Sequence, residues 1–300
     1  MKIVLLGKKG MLGNQFPDKL QNAKAKLGGG VDIFTFDHSE LDVTDTVKLR
    51  EVMNKISPDI VINCIAYTNV DLAETERENS YLLNATVPTE LAKILNPIGA
   101  ILVHFSTDYV FDGQKPLFEG YAEDSPTSPV NYYGETKLAG ENGITENMKK
   151  YYIFRTSWLY GRRIENRGKN FVDTMLKLGR EIAEGKREKL TVVSDQFGCP
   201  TLTDDLASSV IDNIVMKYNS GSIPSFGIYH QSNDGVTNWH EFASKIFEFA
   251  GLDVHPEKIT TTDYPTPAKR PANSILLNTK LSRLRSWDEA LKEYLKSTPG

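Results

Sequence analysis

Five short runs of β-branched and aromatic residues punctuate the first half of the chain: 2–6 (KIVLL), 32–36 (DIFTF), 59–64 (DIVINC), 101–106 (ILVHFS) and 151–157 (YYIFRTS). Helix-length segments separate them. Runs that are apolar along their length suit a parallel sheet covered on both faces, and parallel neighbours need helix-length crossovers. Segment 82–95 has that character, because Leu83, Val87, Leu91 and Leu95 recur every four residues as one apolar stripe. The pattern predicts an α/β chain whose first unit is a doubly wound parallel sheet.

Beyond Trp158 the rhythm weakens. Residues 162–170 (RRIENRGKN) are polar and basic and read as a loop; a helix over 171–184, a strand over 190–194 and a helix over 204–217 follow. In 261–274 (TTDYPTPAKRPANS), three prolines within seven residues exclude a regular helix or a central strand. With 300 residues the chain is long enough for two units. The expected division is a dinucleotide-type unit of 1–157 and 190–222, with a smaller, discontinuous α/β lobe of 158–189 and 223–300. Lys plus Arg number 35 and Asp plus Glu 39, a net charge of −4 that argues against nucleic acid as a partner. No apolar run approaches a membrane span or a signal peptide. Two cysteines, Cys64 and Cys199, make neither a disulfide framework nor a metal cluster, so a reducing cytoplasm is expected and no metal site.

The first run enters Gly7-Lys8-Lys9-Gly10-Met11-Leu12-Gly13 and leaves as a helical pattern. Such a turn sets backbone N–H groups and a positive helix end against a pyrophosphate, the arrangement of a Rossmann-type dinucleotide site. The spacing is G-x-x-G-x-x-G, not the commoner G-x-G-x-x-G. Asp37, at the tip of the second run, suits the ribose hydroxyls of NAD, whereas Lys8 and Lys9 suit a 2′-phosphate; NADH and NADPH both stay open. Asp42 and Val43 are placed along the adenine, and Ala66, Tyr67 and Thr68 under the cofactor ribose.

Tyr133 and Lys137 stand four apart in NYYGETK, hence on one face of a helix. A phenol ordinarily keeps its proton to about pH 10, and a nearby ammonium stabilises the phenolate, turning Tyr133 into a usable proton donor. Ser106 and Thr107 end the fourth run, where an open parallel sheet binds ligands. A hydroxyl there can hold the same substrate oxygen. Glycine turn, hydroxyl and Tyr–Lys pair together describe a hydride-transfer site.

These residues resemble the extended short-chain dehydrogenase/reductase family and, within it, the dTDP-4-dehydrorhamnose reductases. The similarity runs through GKKGMLG, LDVTD, PDIVINCIAYTNVDLAE, STDYVFDG, SPVNYYGETKLAGE, FRTSWLYG, NFVDTMLKL, VVSDQFGCPT, GIYH and YPTPAKRPANS. It implies reduction by NAD(P)H of the C4 carbonyl of dTDP-4-dehydro-β-L-rhamnose. In that reading Tyr133 is the acid, Lys137 lowers its pKa and holds the nicotinamide ribose, and Thr107 binds the substrate oxygen. Asp108 and Tyr109 lie beside the sugar, Val70 and Trp158 line its pocket, Asp195 and Gln196 lie toward the nucleotide, and Arg270 meets the diphosphate. Some relatives dimerise through Mg²⁺ held by glutamates, one of them two residues past the glycine turn; Gln15 stands there, so a homodimer of that metal-bridged kind is not expected. Two alternatives accompany this reading: a non-catalytic nucleotide-binding subunit like the regulatory β subunit of methionine adenosyltransferase, and a reductase of a related, UDP-linked 4-keto sugar.

Overall fold

The computed structural model describes residues 1–117, 119–162 and 170–297; most of the expected 162–170 loop lies outside them. Its central sheet contains β1 (Lys2–Leu6), β2 (Asp32–Phe36), β3 (Ile60–Asn63), β4 (Ile101–Thr107), β5 (Tyr151–Thr156) and β6 (Gly227–His230). All pair in parallel, in the order β6-β5-β4-β3-β1-β2. Successive side chains of a strand point to opposite faces, so each strand feeds two cores. Ile3, Leu5, Ile60, Ile62, Val103 and Phe154 pack beneath Phe16, Leu20 and Ala23 of helix α1 (Phe16–Lys26). Val4, Leu6, Val61, Leu102 and Ile153 form the opposite core with α2 (Thr46–Ile56) and the helices that precede β4 and β5.

The crossover before β4 is longer than its four-residue stripe. It comprises α3 (Arg77–Tyr81), a π-helical turn Leu82–Thr86 and α4 (Val87–Ile98). Helix α5 (Tyr132–Asn147) leads into β5. From β1 the chain moves outward to β2 and then returns past β1 to β3. This reversal opens a crevice beyond the carboxyl ends of β1 and β3, the place where doubly wound sheets bind ligands.

The smaller lobe packs α6 (Phe171–Ala183), α8 (Trp239–Ala250) and α9 (Trp287–Ser297) around Val172, Met175, Phe242, Ile246, Phe247 and Leu291, while α7 (Thr203–Val210) lies against the sheet through Leu206, Ala207 and Val210. Two stretches depart from the division expected from sequence. Gly227–His230, assigned there to the lobe, extends the central sheet as its sixth strand because its backbone pairs with β5. Thr191–Val193, assigned there to the first unit, instead pairs with Glu257–Ile259, and Leu190 and Val192 bury themselves in the lobe core. Three residues with an exposed first position are too short to be a buried central strand. Among the described residues no helix is long and apolar enough to cross a membrane.

Candidate active site

The turn after β1 is built by close approaches. Gly7 has φ +84°, a region L side chains rarely adopt, and its N–H donates to the Phe36 carbonyl at 2.9 Å, joining the ends of β1 and β2. A Cβ on Gly13 would lie 2.0 Å from the Gly7 oxygen, so only glycine lets the helix start beneath the turn. Leu12 caps the 3-10 turn Gly13–Gln15, and no side chain occupies the cap. The positive helix end is therefore left to backbone groups facing the crevice, which fits a pyrophosphate. Met11 is half-buried beside it, and the Leu12 side chain turns into the core.

Above β4, Thr107 ends the strand and caps the turn Asp108–Val110, its hydroxyl accepting the Tyr109 N–H at 3.2 Å and donating to Asp108 at 3.0 Å. Helix α5 brings Tyr133 to the same point. Its N-cap, Asn131, accepts the Gly134 N–H at 2.8 Å, and a Cβ on Gly134 would sit 2.2 Å from the Tyr109 oxygen, so glycine at this position lets the helix close on the Tyr109 loop. The Tyr109 and Tyr133 rings meet edge to face, 5.9 Å between centroids. Contrary to the lowering by Lys137 expected from sequence, burial pushes the Tyr133 phenol above its ordinary value; the Thr107 hydroxyl opposes that shift, and Asp108 reinforces it. Burial also raises the Asp108 carboxyl to about 7. One turn further along α5, Lys137 is buried and donates to the Phe105 carbonyl at 2.6 Å; burial pushes it down to about 8. Ser106 Oγ is buried without a partner among the described residues. The structure thus gathers Ser106, Thr107, Tyr133 and Lys137 at the carboxyl end of β4.

The remaining candidates differ in what they offer. Asp37 is buried at the tip of β2, bound by Lys9 at 2.8 Å and by the Ser39 hydroxyl at 2.6 Å, which hold its carboxyl far below the usual carboxylate range. Asp42 closes its own turn through Thr44 at 2.7 and 2.9 Å, and the Val43 side chain is buried in the core. Ala66, Tyr67 and Thr68 follow β3, and Val70 is half-buried in the same loop. Arg270 pairs with Asp71 at 2.9 Å and donates to the Ala268 carbonyl at 2.8 Å, tying the proline-rich segment to that loop. Trp158, at φ +49°, stacks flat on Trp239 with 3.6 Å between centroids. Asp195 and Gln196 hold the Thr261 turn, the former accepting its N–H at 2.9 Å.

The family model for the RmlD substrate binding domain matches residues 1–299. The dTDP-4-dehydrorhamnose reductase of Shigella flexneri is 39% identical, the alignment covering 98% of this chain and 97% of the relative. The chain belongs to the dTDP-4-dehydrorhamnose reductase family. Its fold agrees: the crystal structures of the Clostridium acetobutylicum reductase and of the Bacillus anthracis reductase in complex with NADP each superpose with a TM-score of 0.86, at 38% identity over 99% of both chains.

In this family member two asparagines that the sequence reading passed over organise the site. Asn84, in the π-helical turn, accepts the Tyr67 N–H at 2.9 Å, donates to the Tyr67 carbonyl at 3.0 Å and reaches Thr136 of α5 at 3.1 Å. It locks the post-β3 loop against α5, and the π turn aims it there. Asn131, besides capping α5, donates to the Lys269 carbonyl at 2.7 Å and so ties the helix to the lobe. An N-cap asparagine three residues before the glycine in N-Y-Y-G was a visible signal for the second; nothing in local sequence marks the first.

Proposed function

We propose that this chain reduces the C4 carbonyl of dTDP-4-dehydro-β-L-rhamnose to dTDP-L-rhamnose. The observation that carries this reading is the meeting of Thr107 and Tyr133 above the buried Lys137, across the crevice from a glycine turn shaped for a pyrophosphate. The residues fit NADPH or NADH, which supplies a hydride when bound. Gly7, Gly10, Met11, Leu12 and Gly13 would hold the pyrophosphate, Asp37 the adenosine ribose, and Lys137 the nicotinamide ribose. Tyr133 keeps its proton at Oη because the phenol is buried, as a donor to the substrate O4 must. Thr107 fixes that oxygen. Asp108, Tyr109, Val70 and Trp158 border the sugar, and Arg270 serves the diphosphate by exchanging its partner Asp71.

With Gln15 in place of a carboxylate, any homodimer forms without a metal bridge at that position. Two free cysteines suit a reducing cytoplasm.

The test is NAD(P)H oxidation by the purified protein with dTDP- and UDP-linked 4-keto-6-deoxy sugars, with either cofactor. Turnover confined to the dTDP sugar is expected, and Tyr133→Phe should lower kcat by about 10²-fold or more while cofactor affinity holds. Normal turnover by Tyr133→Phe refutes the assigned donor. No turnover with any sugar refutes the enzyme reading.

A further inference from the structure

Lys137 has a second neighbour besides the Phe105 carbonyl. Nε2 of His104, a fully buried residue in the middle of β4, lies 3.5 Å from its Nζ. The other ring nitrogen of His104, Nδ1, lies 3.1 Å from Nδ2 of Asn63 at the end of β3. The Asn63 amide is not free to turn over, because its Oδ1 accepts the Ile65 N–H at 3.1 Å. Its amino group must therefore face His104. An amino group only donates, so Nδ1 is the acceptor and the hydrogen of the neutral ring belongs on Nε2. Burial together with the Lys137 charge keeps the ring neutral, holding its pKa well below the ordinary histidine value.

The Nε2 hydrogen then points at the lysine. An ammonium offers only hydrogens to that N–H, whereas an amine offers a lone pair; the Phe105 carbonyl accepts from either form. We propose that Asn63 fixes His104 as an Nε2–H donor and that His104 in turn lowers the proton affinity of Lys137, making the pair a positioning device for the lysine of the active site. The opposing charge is Glu141, one turn along α5, which raises the proton affinity of Lys137. Its influence is muted by Arg155 of β5, which grips the Glu141 carboxylate with contacts of 2.7, 2.9 and 3.2 Å. Among the described residues, Tyr133 is the other titratable group on that face of α5. Lysine loses its charge readily when it is buried against a donor that cannot accept its hydrogens. Burial already brings Lys137 down to about 8, and the His104 N–H adds to that effect. This deepens the reading of Lys137 as the partner of Tyr133 and rests on it.

Neither decisive measurement uses turnover, so failure here is separable from failure of the proposed reaction. In the full-length ¹⁵N-labelled protein, long-range ¹H–¹⁵N correlation of the imidazoles should show His104, assigned by its loss in His104→Gln, with a bare Nδ1 and a protonated Nε2 across the neutral range. Asn63→Asp keeps an acceptor for Ile65 N–H but presents a second acceptor to Nδ1, so the hydrogen should move to Nδ1. The titration midpoint of Lys137, followed through ¹³Cε-labelled lysine and assigned with Lys137→Arg, should then rise by about one pH unit or more. His104→Gln, whose amide carbonyl can turn toward the ammonium, should raise it as well. A wild-type His104 protonated at Nδ1 or at both nitrogens overturns the proposal. So does a Lys137 midpoint that stays in place in whichever of the two variants folds.

Discussion

Replacing Gly13 by alanine tests whether the turn after β1 is as tightly closed as its geometry states. The new Cβ would lie 2.0 Å from the Gly7 oxygen, 2.8 Å from the Gly7 carbonyl carbon and 3.3 Å from Lys8 Cα. A carbon sits comfortably against a carbonyl oxygen at about 3.3 Å, so the Gly7 oxygen must retreat by about 1.3 Å. It cannot do so freely, because it accepts the Gly10 N–H at 3.0 Å in the bond that closes the turn. Overpacking costs about 1–3 kcal/mol and a lost hydrogen bond about 0.5–1.5 kcal/mol. The combined loss of folding stability and cofactor affinity should therefore be about 1.5–4.5 kcal/mol. Urea denaturation without cofactor measures the first part, and fluorescence titration with NADPH the second. Gly10→Ala is the control for the first part: its Cβ would meet only the Gly7 oxygen, at 3.3 Å, and the expected loss of stability without cofactor is under about 0.5 kcal/mol. If Gly13→Ala matches wild type in both measurements, or Gly10→Ala is as damaging to stability without cofactor, the close-approach argument is wrong.

Three further outcomes follow from the site and its supports. Asp108, raised by burial from 3.8 to about 7, is protonated in both folded and unfolded chains below about pH 4 and carries its full burial penalty above about pH 7, so stability falls as pH rises through that window. Asp108→Asn should match wild type in urea midpoint near pH 4 and exceed it above pH 7 by up to about 4 kcal/mol; a constant difference across the range refutes the shift. Glu141→Gln leaves the Arg155 guanidinium buried without its charge partner and should cost about 3–5 kcal/mol in denaturant, whereas a loss below about 1 kcal/mol would show that the pair is solvated. Asn84→Ala strands the Tyr67 N–H and carbonyl and should raise the cofactor KM about 5- to 150-fold, the worth of about 1–3 kcal/mol, with kcat little changed; a fall in kcat alone would place Asn84 in the chemistry and not in the loop.

Much of this was legible because the chemistry resides in local patterns. Largely apolar runs marked β1 to β5: β1, β3, β4 and β5 are buried along most of their length, and only the edge strand β2 is half-exposed. The glycine turn and the spacing of Tyr133 and Lys137 exposed the site for the same reason, each being set by backbone geometry within one turn. What escaped depends on partners far apart in the chain. Gly227–His230 has too few residues to declare itself a strand, and only its pairing with β5 does so. Thr191–Val193 resembles a strand of the first unit by composition, and the lobe claims it through Glu257–Ile259. Trp158 looked like an open platform for a sugar ring, and Trp239, distant in sequence, covers one of its faces. Asn84 and His104 act through side-chain contacts across helix and strand, and nothing near them in sequence announces such contacts.

The charges around the crevice acquire a meaning that the net value of −4 lacks. Every cation that sequence reading offered to a phosphate already has a carboxylate: Lys8 has Glu40 at 2.6 Å, Lys9 has Asp37 at 2.8 Å, and Arg270 has Asp71 at 2.9 Å. A phosphate arriving at any of them exchanges one ion pair for another, and the displaced carboxylate stays close enough to repel it. For the adenosine end this separates the two cofactors physically. A ribose 2′-hydroxyl can donate to Asp37 while Lys9 stays in place, whereas a 2′-phosphate must draw Lys9 and Lys8 away from Asp37 and Glu40. When Lys9 leaves, the Ser39 N–H and hydroxyl stay with Asp37 and still favour its ionised form. The choice between NADH and NADPH is then a competition between carboxylate and phosphate for the same two lysines. A pyrophosphate held, as proposed, by backbone groups at the head of α1 would take no part in that competition.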